Sequence, residues 1–465
     1  MNKEKKYSFS EKFIEGETKE GFWSLVFYGA TVLNSFLIVG LLSVYEYGLY
    51  QLIISVAAIA ESLSAGFVDS VVSVDLSKYF KEEKLSSAKR IFWEYFILKV
   101  GLAALLSVCV ILGSKFVAGY YHQNITLYLQ LAISVLIFRV AQSALELFFK
   151  SRLNFSLVGA PVFGEAVKFL SILFFLFWQG FGVTQVMGAY IIGNLATFSF
   201  SSFRFWGLYS KTLKGVSAVK FSILRGLLKN YGVWFSVRFV TSRISASLRP
   251  WLIRIFLNTE AVGYFIFARN IIAMIVRLMP LGTLAALLPR ELDDKNRMKY
   301  IFTRMTKYSI FLAFVLALFS AAVVPVIVYI AFPKYIPSLY LFWIMTGIVL
   351  LYGVYKILRM MLTALKEIKI LTLRSLDESL LSPIFLAILL PLFGVTGAAI
   401  EWVLTYALTT VLFFIYLIKS HSYLMFDLKS FFVFDAVDKK IIKEGTKKTT
   451  AFLKAVFRRK ISRNL

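Results

Sequence analysis

The chain has 465 residues, of which 59% are hydrophobic and 17% aromatic, and its formal net charge at pH 7 is +26. Its mean hydropathy is +0.74. This composition predicts a polytopic membrane protein and excludes an ordinary soluble domain. The basic residues lie between apolar segments, so we expect contact with anionic inner-leaflet lipids and no nucleic-acid partner. Cys109 is the single cysteine, so no disulfide can form within the chain. One cysteine and two histidines also argue against a Cys/His metal centre.

Twelve apolar segments of membrane-spanning length follow one another along the chain. The first half contains segments 22–44, 48–73, 92–119, 125–149, 156–179 and 182–209, and the second half contains 231–257, 261–288, 308–331, 339–365, 371–392 and 395–418. They predict an all-α polytopic membrane protein with a cytoplasmic N-terminus (1–21), a six-helix bundle (22–209), a cytoplasmic linker (210–230), a second six-helix bundle (231–418) and a basic cytoplasmic tail (419–465).

The basic residues also predict the orientation in the membrane. The connections between spans 2 and 3, 6 and 7, and 8 and 9 are rich in lysine and arginine, whereas the connections on the opposite side contain few. Because lysine- and arginine-rich loops stay on the cytoplasmic side, both termini are predicted to be cytoplasmic.

The two halves contain similar short motifs in the same order. YGLYQL at Tyr47–Leu52 aligns with VGYFIF at Val262–Phe267, and FGVTQVMGAY at Phe181–Tyr190 aligns with FGVTGAAIEW at Phe393–Trp402. Since six spans is an even number, both copies have the same orientation. The pattern predicts a pseudo-twofold axis along the membrane normal and a cavity between the bundles.

Segment 231–257 contains four arginines, which are Arg238, Arg243, Arg249 and Arg254. An arginine at the centre of a span costs about 2.5–3.5 kcal/mol on insertion scales, so these side chains need a carboxylate, a water-filled cavity or an anionic ligand. Arg254 is expected near the outer end. Helical spacing places Arg238 and Arg249 on one face. We predict that Arg238, Arg243 and Arg249 line a cationic cavity, with pairing to buried carboxylates as the alternative.

Two further arginines are candidates for the same cavity. Arg269 lies deep in segment 261–288, and Arg139 lies in segment 125–149, two turns before Glu146. An arginine guanidinium has a planar geometry that suits a diphosphate. For Arg139, an ion pair with another span or a water-mediated contact with Glu146 is the alternative interpretation.

Four carboxylates within the spans are candidates for cation coupling. They are Glu61, Asp69, Glu165 and Glu401. A carboxylate in a membrane span binds Na⁺ or H⁺, or it neutralises a nearby cation. Glu165 is three residues before Lys168, a spacing that favours an ion pair on one helix. Coupling to a Na⁺ or H⁺ gradient and a structural role both stay open, and we predict no resident cofactor.

The Tyr-Gly-Leu-Tyr start of span 2, its counterpart in span 8 and LLPREL at Leu287–Leu292 resemble the polysaccharide flippases of the O-antigen (Wzx) type. These belong to the multidrug/oligosaccharidyl-lipid/polysaccharide exporter superfamily. The resemblance covers most of residues 20–418. It implies two six-helix bundles around a cationic cavity in the bacterial inner membrane, and alternating access that moves an undecaprenyl-diphosphate-linked repeat unit to the outer leaflet. It also implies a polymerase and a chain-length regulator as pathway partners.

Two alternatives differ from this interpretation. One is a drug or small-solute exporter of the same superfamily or of the major facilitator class. The loop Val74–Lys84, VDLSKYFKEEK, lacks the motif usual for the major facilitator class. The other is a membrane enzyme, an O-antigen polymerase or glycosyltransferase. The outer connections are too short for an external catalytic region and the chain has no Walker motif. We therefore predict that the protein is not an enzyme.

Overall fold

The computed structural model describes residues 9–64, 68–120, 125–152, 159–179, 181–227, 247–279, 295–365 and 367–425, and within these ranges it contains helices and no β-strand. The helices, in chain order, are α1 (Phe9–Leu41), α2 (Val44–Leu63), α3 (Val68–Lys81), α4 (Leu85–Tyr120), α5 (Thr126–Ser134), α6 (Leu136–Ser151), α7 (Ala160–Gln179), α8 (Val183–Thr212), α9 (Leu224–Leu227), α10 (247–256), α11 (Thr259–Arg277), α12 (Lys295–Ala331), α13 (Leu339–Ala364), α14 (Ile368–Phe393) and α15 (Val395–Ser420).

Many of these helices are long and apolar enough to cross a membrane. Eight meet that standard among the described residues, and the shorter apolar helices Val26–Leu41 and Leu381–Phe393 accompany them. The predicted fold class, an all-α polytopic membrane protein, is therefore confirmed. The predicted division into bundles 22–209 and 231–418 stays a prediction, and residues 426–465 of the predicted tail lie outside the described residues.

The observed helices differ from the predicted spans mainly at their ends. α4 begins at Leu85 and α12 begins at Lys295, well before the predicted starts at residues 92 and 308. Lysine and arginine are good helix formers, so a helix continues beyond its apolar part when no glycine or proline stops it. The predicted span 48–73 is instead divided, because α2 ends at Leu63. There Ser62 and Ser64 donate their hydroxyls to the backbone oxygens of residues 58 and 61, a contact that competes with a regular helix.

The helices form two compact units. The first comprises Met1–Ile275, Leu318–Ile348 and Thr372–Tyr406, and the second comprises Val276–Ala317, Val349–Leu371 and Ala407–Leu465. In the second unit the Tyr416 hydroxyl donates to a Glu367 oxygen at 2.8 Å, and the other Glu367 oxygen lies 3.0 Å from the His421 ring. These contacts join the start of α14 to the end of α15.

In the first unit, α2 and α11 approach each other closely at a pair of glycines. A Cβ atom added at Gly48 would lie 2.1 Å from the backbone oxygen of Thr259, and one added at Gly263 would lie 2.4 Å from the backbone oxygen of Val44. The two contacts are reciprocal, because the sequence alignment that pairs Gly48 with Gly263 also pairs Val44 with Thr259. Small residues permit this approach of two membrane helices.

Equivalent side chains also start the two helices. Ser43 accepts the backbone N–H of Glu46 at the start of α2, and Asn258 accepts that of Ala261 at the start of α11. Both are helix N-caps that satisfy a free backbone donor. The caps and the glycines occupy matching positions of the repeated motif, so the repeat determines where α2 and α11 begin and how they touch.

Aromatic packing holds the first-half helices together. Phe92 of α4, Phe148 of α6 and Phe205 of α8 form a buried triangle with ring centroids 4.8, 5.1 and 5.4 Å apart. Contacts of this kind add about 0.5–1.5 kcal/mol each beyond the buried area. This cluster fixes α4 and α6, which provide two of the charged side chains described next, Lys99 and Arg139.

Candidate functional site

The first unit encloses a polar cavity of about 520 Å³. Its walls come from α2, α3, α4, α6, α10 and α11, and three of these, α4, α6 and α11, belong to segments that are long and apolar enough to cross a membrane. The polar and charged residues that line it are Gln51, Ser55, Glu61, Ser62, Asp69, Lys99, Arg139, Ser143, Ser247 and Arg269. Because polar groups inside a membrane bundle are expensive, such a concentration marks a candidate binding site.

One wall of the cavity is built around Lys99. Its ammonium lies 2.8 Å from both Asp69 carboxylate oxygens, 2.8 Å from the Ser143 hydroxyl and 3.1 Å from the Tyr95 hydroxyl. The Lys99 side chain is 4% exposed, whereas that of Asp69 is 38% exposed. A buried ammonium is therefore held in a cage of four oxygen atoms, and its carboxylate partner faces the cavity.

A second ion pair joins α6 to α2. The Arg139 guanidinium lies 2.9 Å from a Glu61 oxygen, and it also donates to the Tyr190 hydroxyl. About one third of each charged side chain is exposed. Of the two alternatives for Arg139, the structure shows an ion pair with another span. Glu146 instead accepts the Gln142 amide on its own helix, at 2.9 Å.

Arg269 differs from the other two cations of the cavity. Its guanidinium carbon lies 5.9 Å from the ring centroid of Trp402, a cation–π contact, and no carboxylate of the described residues forms an ion pair with it. Three cations and two carboxylates thus belong to the described cavity lining, which gives that lining a formal charge of +1. Arg269 is the source of the unbalanced charge.

Arg249 lies in a different environment. Its guanidinium donates to both Glu401 oxygens and to the Ser382 hydroxyl, each at 3.1 Å. The side chains of Arg249 and Glu401 are 9% and 0% exposed, and the Thr405 hydroxyl donates to Glu401 at 3.0 Å. Arg249 is absent from the described cavity lining. Its predicted contact with substrate, like cation coupling through Glu401, stays a prediction.

The remaining predicted residues lie elsewhere. Glu165 forms the expected ion pair with Lys168, at 3.5 Å, and accepts the Asn34 side-chain amide, away from the described cavity lining. Arg238 and Arg243 lie outside the described residues. The structure therefore brings Arg139, Arg269, Glu61 and Asp69 together around one cavity, while coupling through any of the four carboxylates stays a prediction.

Lys99 is the cavity residue that the sequence analysis missed. It stands within the apolar segment 92–119, four residues after Tyr95, and its charge is the same signal that identified the arginines. A lysine near the end of a span is a weaker signal of a buried site, because its long side chain can reach the membrane surface. Lys99 is nevertheless buried, so the apolar residues on both sides of it were sufficient reason to predict it as a site residue.

A comparison with known families identifies the chain. The model of a family described as polysaccharide biosynthesis protein matches residues 37–335, nearly two thirds of the sequence. This match includes every described residue that lines the cavity. No curated protein sequence matches the chain.

Solved structures of low sequence identity share its fold. An inward-facing multidrug resistance transporter of the MATE family, from the MOP superfamily, superposes with a TM-score of 0.65 and 15% identity, over 86% of this chain and 94% of that one. A MOP-superfamily transporter from Pyrococcus furiosus, described as having a binding pocket of reverse polarity, gives 0.61 and 14%, over 88% and 96%. The lipid II flippase MurJ in an inward closed conformation gives 0.61 and 15%, over 88% and 89%.

These structures share the all-helical architecture of the MOP superfamily with this chain, and the family match covers more than half of the sequence. The resemblance noted in the sequence is thereby confirmed, and the chain belongs to the polysaccharide biosynthesis protein family.

Proposed function

We propose that this protein is a flippase that moves an undecaprenyl-diphosphate-linked oligosaccharide from the inner to the outer leaflet of the bacterial inner membrane. In this proposal both termini are cytoplasmic, and the headgroup passes through the cavity by alternating access. The lipid chain stays in the membrane beside the helices. O-antigen and capsule repeat units both fit this description.

The observation that carries the proposal is Arg269, a cation of the polar cavity with which no carboxylate of the described residues forms an ion pair. A guanidinium suits the several acceptor oxygens of a diphosphate, and their attraction is stronger inside a protein than in bulk water. Arg139, with about one third of its side chain exposed, adds guanidinium donors to the same cavity. A cationic drug would be repelled by the formal charge of +1 on the described lining, so the cavity favours an anionic headgroup over the drug-exporter alternative.

The negative charge of the headgroup also provides a driving force for its export. A diphosphate with two ester links has two negative charges, and a membrane potential of 100 mV, negative inside, favours the export of each by about 2.3 kcal/mol. The potential alone thus contributes about 4.6 kcal/mol per headgroup for each 100 mV. Cation coupling through Asp69 or another carboxylate is then an addition to the driving force and is not required.

The decisive experiment measures transbilayer movement of a fluorescent undecaprenyl-diphosphate oligosaccharide in proteoliposomes. Initial rates are compared without a gradient, with a potassium diffusion potential, and with Na⁺ or pH gradients. Hydrogen bonds to charged groups contribute about 1.5–3 kcal/mol, so Arg269→Gln should lower the rate by about ten- to hundred-fold. Arg204→Gln, a change of an exposed arginine on α8, is the matched control and should leave the rate unchanged.

Three outcomes distinguish the hypotheses. Protein-dependent movement that is lost in Arg269→Gln supports the flippase and its site. Movement that is equal in both variants would contradict the role of Arg269. Growth of the glycan on an added acceptor, without transbilayer movement, would favour the membrane enzyme instead.

A further inference from the structure

A second cavity lies in the first unit, at the beginning of α4. It is an open groove of about 540 Å³ between α4 and the segment that follows α8. Its walls include the apolar side chains of Trp93, Ile97, Leu98 and Leu224. Lys89, Arg90 and Arg225 also border it. We call it the α4 groove.

The segment that forms one wall of the α4 groove is fixed to α4 by polar contacts. Lys89 donates to the backbone oxygens of Leu213 and Val216, at 3.2 and 2.8 Å. A Glu94 oxygen accepts the backbone N–H groups of Ile223 and Leu224, at 3.1 and 3.0 Å. Two charged side chains of α4 thus bind the backbone of this segment on both sides, so the groove is built into the fold.

The cations of the α4 groove have different partners. Lys89 is engaged with the two carbonyls, and Arg90 forms an ion pair with Glu94 at 2.7 Å. Arg225 is exposed, and no side-chain partner is seen for it among the described residues. Lys220, five residues earlier, is also exposed. The groove therefore combines apolar walls with an exposed positive charge at one end.

The aromatic and apolar side chains indicate where this groove lies. Ile97 and Phe221 are 67% and 66% exposed, as expected for side chains in contact with lipid chains. The Trp93 ring nitrogen donates to the Tyr209 hydroxyl at 3.2 Å, and tryptophan and tyrosine are enriched where a membrane meets water. An apolar groove with a cation at this depth matches a lipid with an anionic headgroup.

We propose that the α4 groove binds one anionic phospholipid. An acyl chain lies against Trp93, Ile97 and Leu98, and the phosphate group lies beside Arg225. A soluble anion would leave the apolar walls in contact with water, and a zwitterionic lipid would gain less from the exposed arginine. The site is separate from the polar cavity and independent of what that cavity transports.

Tryptophan quenching by brominated lipids tests this site, because bromine on an acyl chain quenches only tryptophans in contact with it. The protein is reconstituted in mixtures of brominated phosphatidylglycerol or brominated phosphatidylcholine with unlabelled lipid. The chain has eight tryptophans. The difference between the original protein and Trp93→Phe isolates the signal of Trp93. One basic residue beside an anionic headgroup gives about a five-fold preference for phosphatidylglycerol, equal to ~1 kcal/mol.

Arg225→Gln should reduce this preference to nearly equal binding of the two lipids. Lys115→Gln, a change at an exposed position near the other end of α4, is the matched control and should retain the preference. A Trp93 signal that neither lipid quenches, equal quenching by the two lipids in the original protein, or a preference that survives in Arg225→Gln would overturn the proposal. If Trp93→Phe does not fold, native mass spectrometry can instead compare the phosphatidylglycerol retained by the purified original protein and by Arg225→Gln. Lower retention in Arg225→Gln would support the proposal, and equal retention would overturn it.

Discussion

The buried Arg249–Glu401 pair allows the role of one arginine to be determined directly. The sequence predicts Arg249 as a substrate ligand, whereas the structure places it against Glu401, with two hydrogen bonds of 3.1 Å and both side chains nearly inaccessible to solvent. The perturbation is a double-mutant cycle of Arg249→Met, Glu401→Leu and the combination. Each single change leaves the other charge buried without its main partner.

The expected magnitude follows from the burial of both groups. Removing one member of a buried ion pair costs about 3–5 kcal/mol, because the remaining charge is not solvated. The Ser382 and Thr405 hydroxyls stay in place, and they compensate for only part of that loss. Replacing both charged groups by apolar ones of similar size removes the unpaired charge, and such replacements are often neutral or stabilising. We therefore expect two unstable single variants and a double variant close to the original protein.

Two assays are needed on the same four proteins. Chemical unfolding in detergent gives the differences in free energy, and flipping in proteoliposomes gives the initial rates. A structural role predicts that the double variant regains both stability and transport. A substrate-binding role predicts that it regains stability while transport stays low. Single variants as stable as the original protein would refute the energetic argument. A double variant that loses the sum of the unfolding free energies lost by the two single variants would also refute it.

Two further changes test the close helix contact and the Lys99 cage. Gly48→Ala places a methyl group against the backbone of α11, so we expect a loss of about 1–3 kcal/mol in unfolding free energy. Gly101→Ala, with open space around the added atom, is its control, and a stable Gly48→Ala variant would contradict the contact. Lys99→Ala leaves the carboxylate of Asp69 without its cation in a polar cluster, so Na⁺ should raise the melting temperature of this variant and not that of the original protein. A melting temperature unaffected by Na⁺ in the variant would show that Lys99 does not occupy a cation position.

The helices were predictable because their signal is local. Apolar segments of spanning length identify α4, α8 and α15 from the sequence, and the repeated motif pairs Gly48 with Gly263, but the contact between α2 and α11 at these glycines is visible only in the structure. The ends of α4 and α12 were less predictable, since hydropathy marks where a segment leaves the lipid and not where its backbone stops being helical. Ser64 at the end of α2 shows the same limit, because a short polar side chain can continue a helix or terminate it.

The ion pairs of the site were not predictable, because they join residues that are distant in the sequence. Arg249 and Glu401 are 152 positions apart, and they meet only when α10 and α15 pack together. An arginine inside a span requires a carboxylate, a water-filled cavity or an anionic ligand, and the sequence alone does not show which of these each arginine has. Arg269 gains its importance from this pairing. Once Asp69 and Glu61 are taken by Lys99 and Arg139, its charge is the one that the described cavity lining leaves for a ligand. Whether an arginine in a membrane span binds a ligand is therefore judged better from the ion pairs of the surrounding carboxylates than from the depth of the arginine in the span.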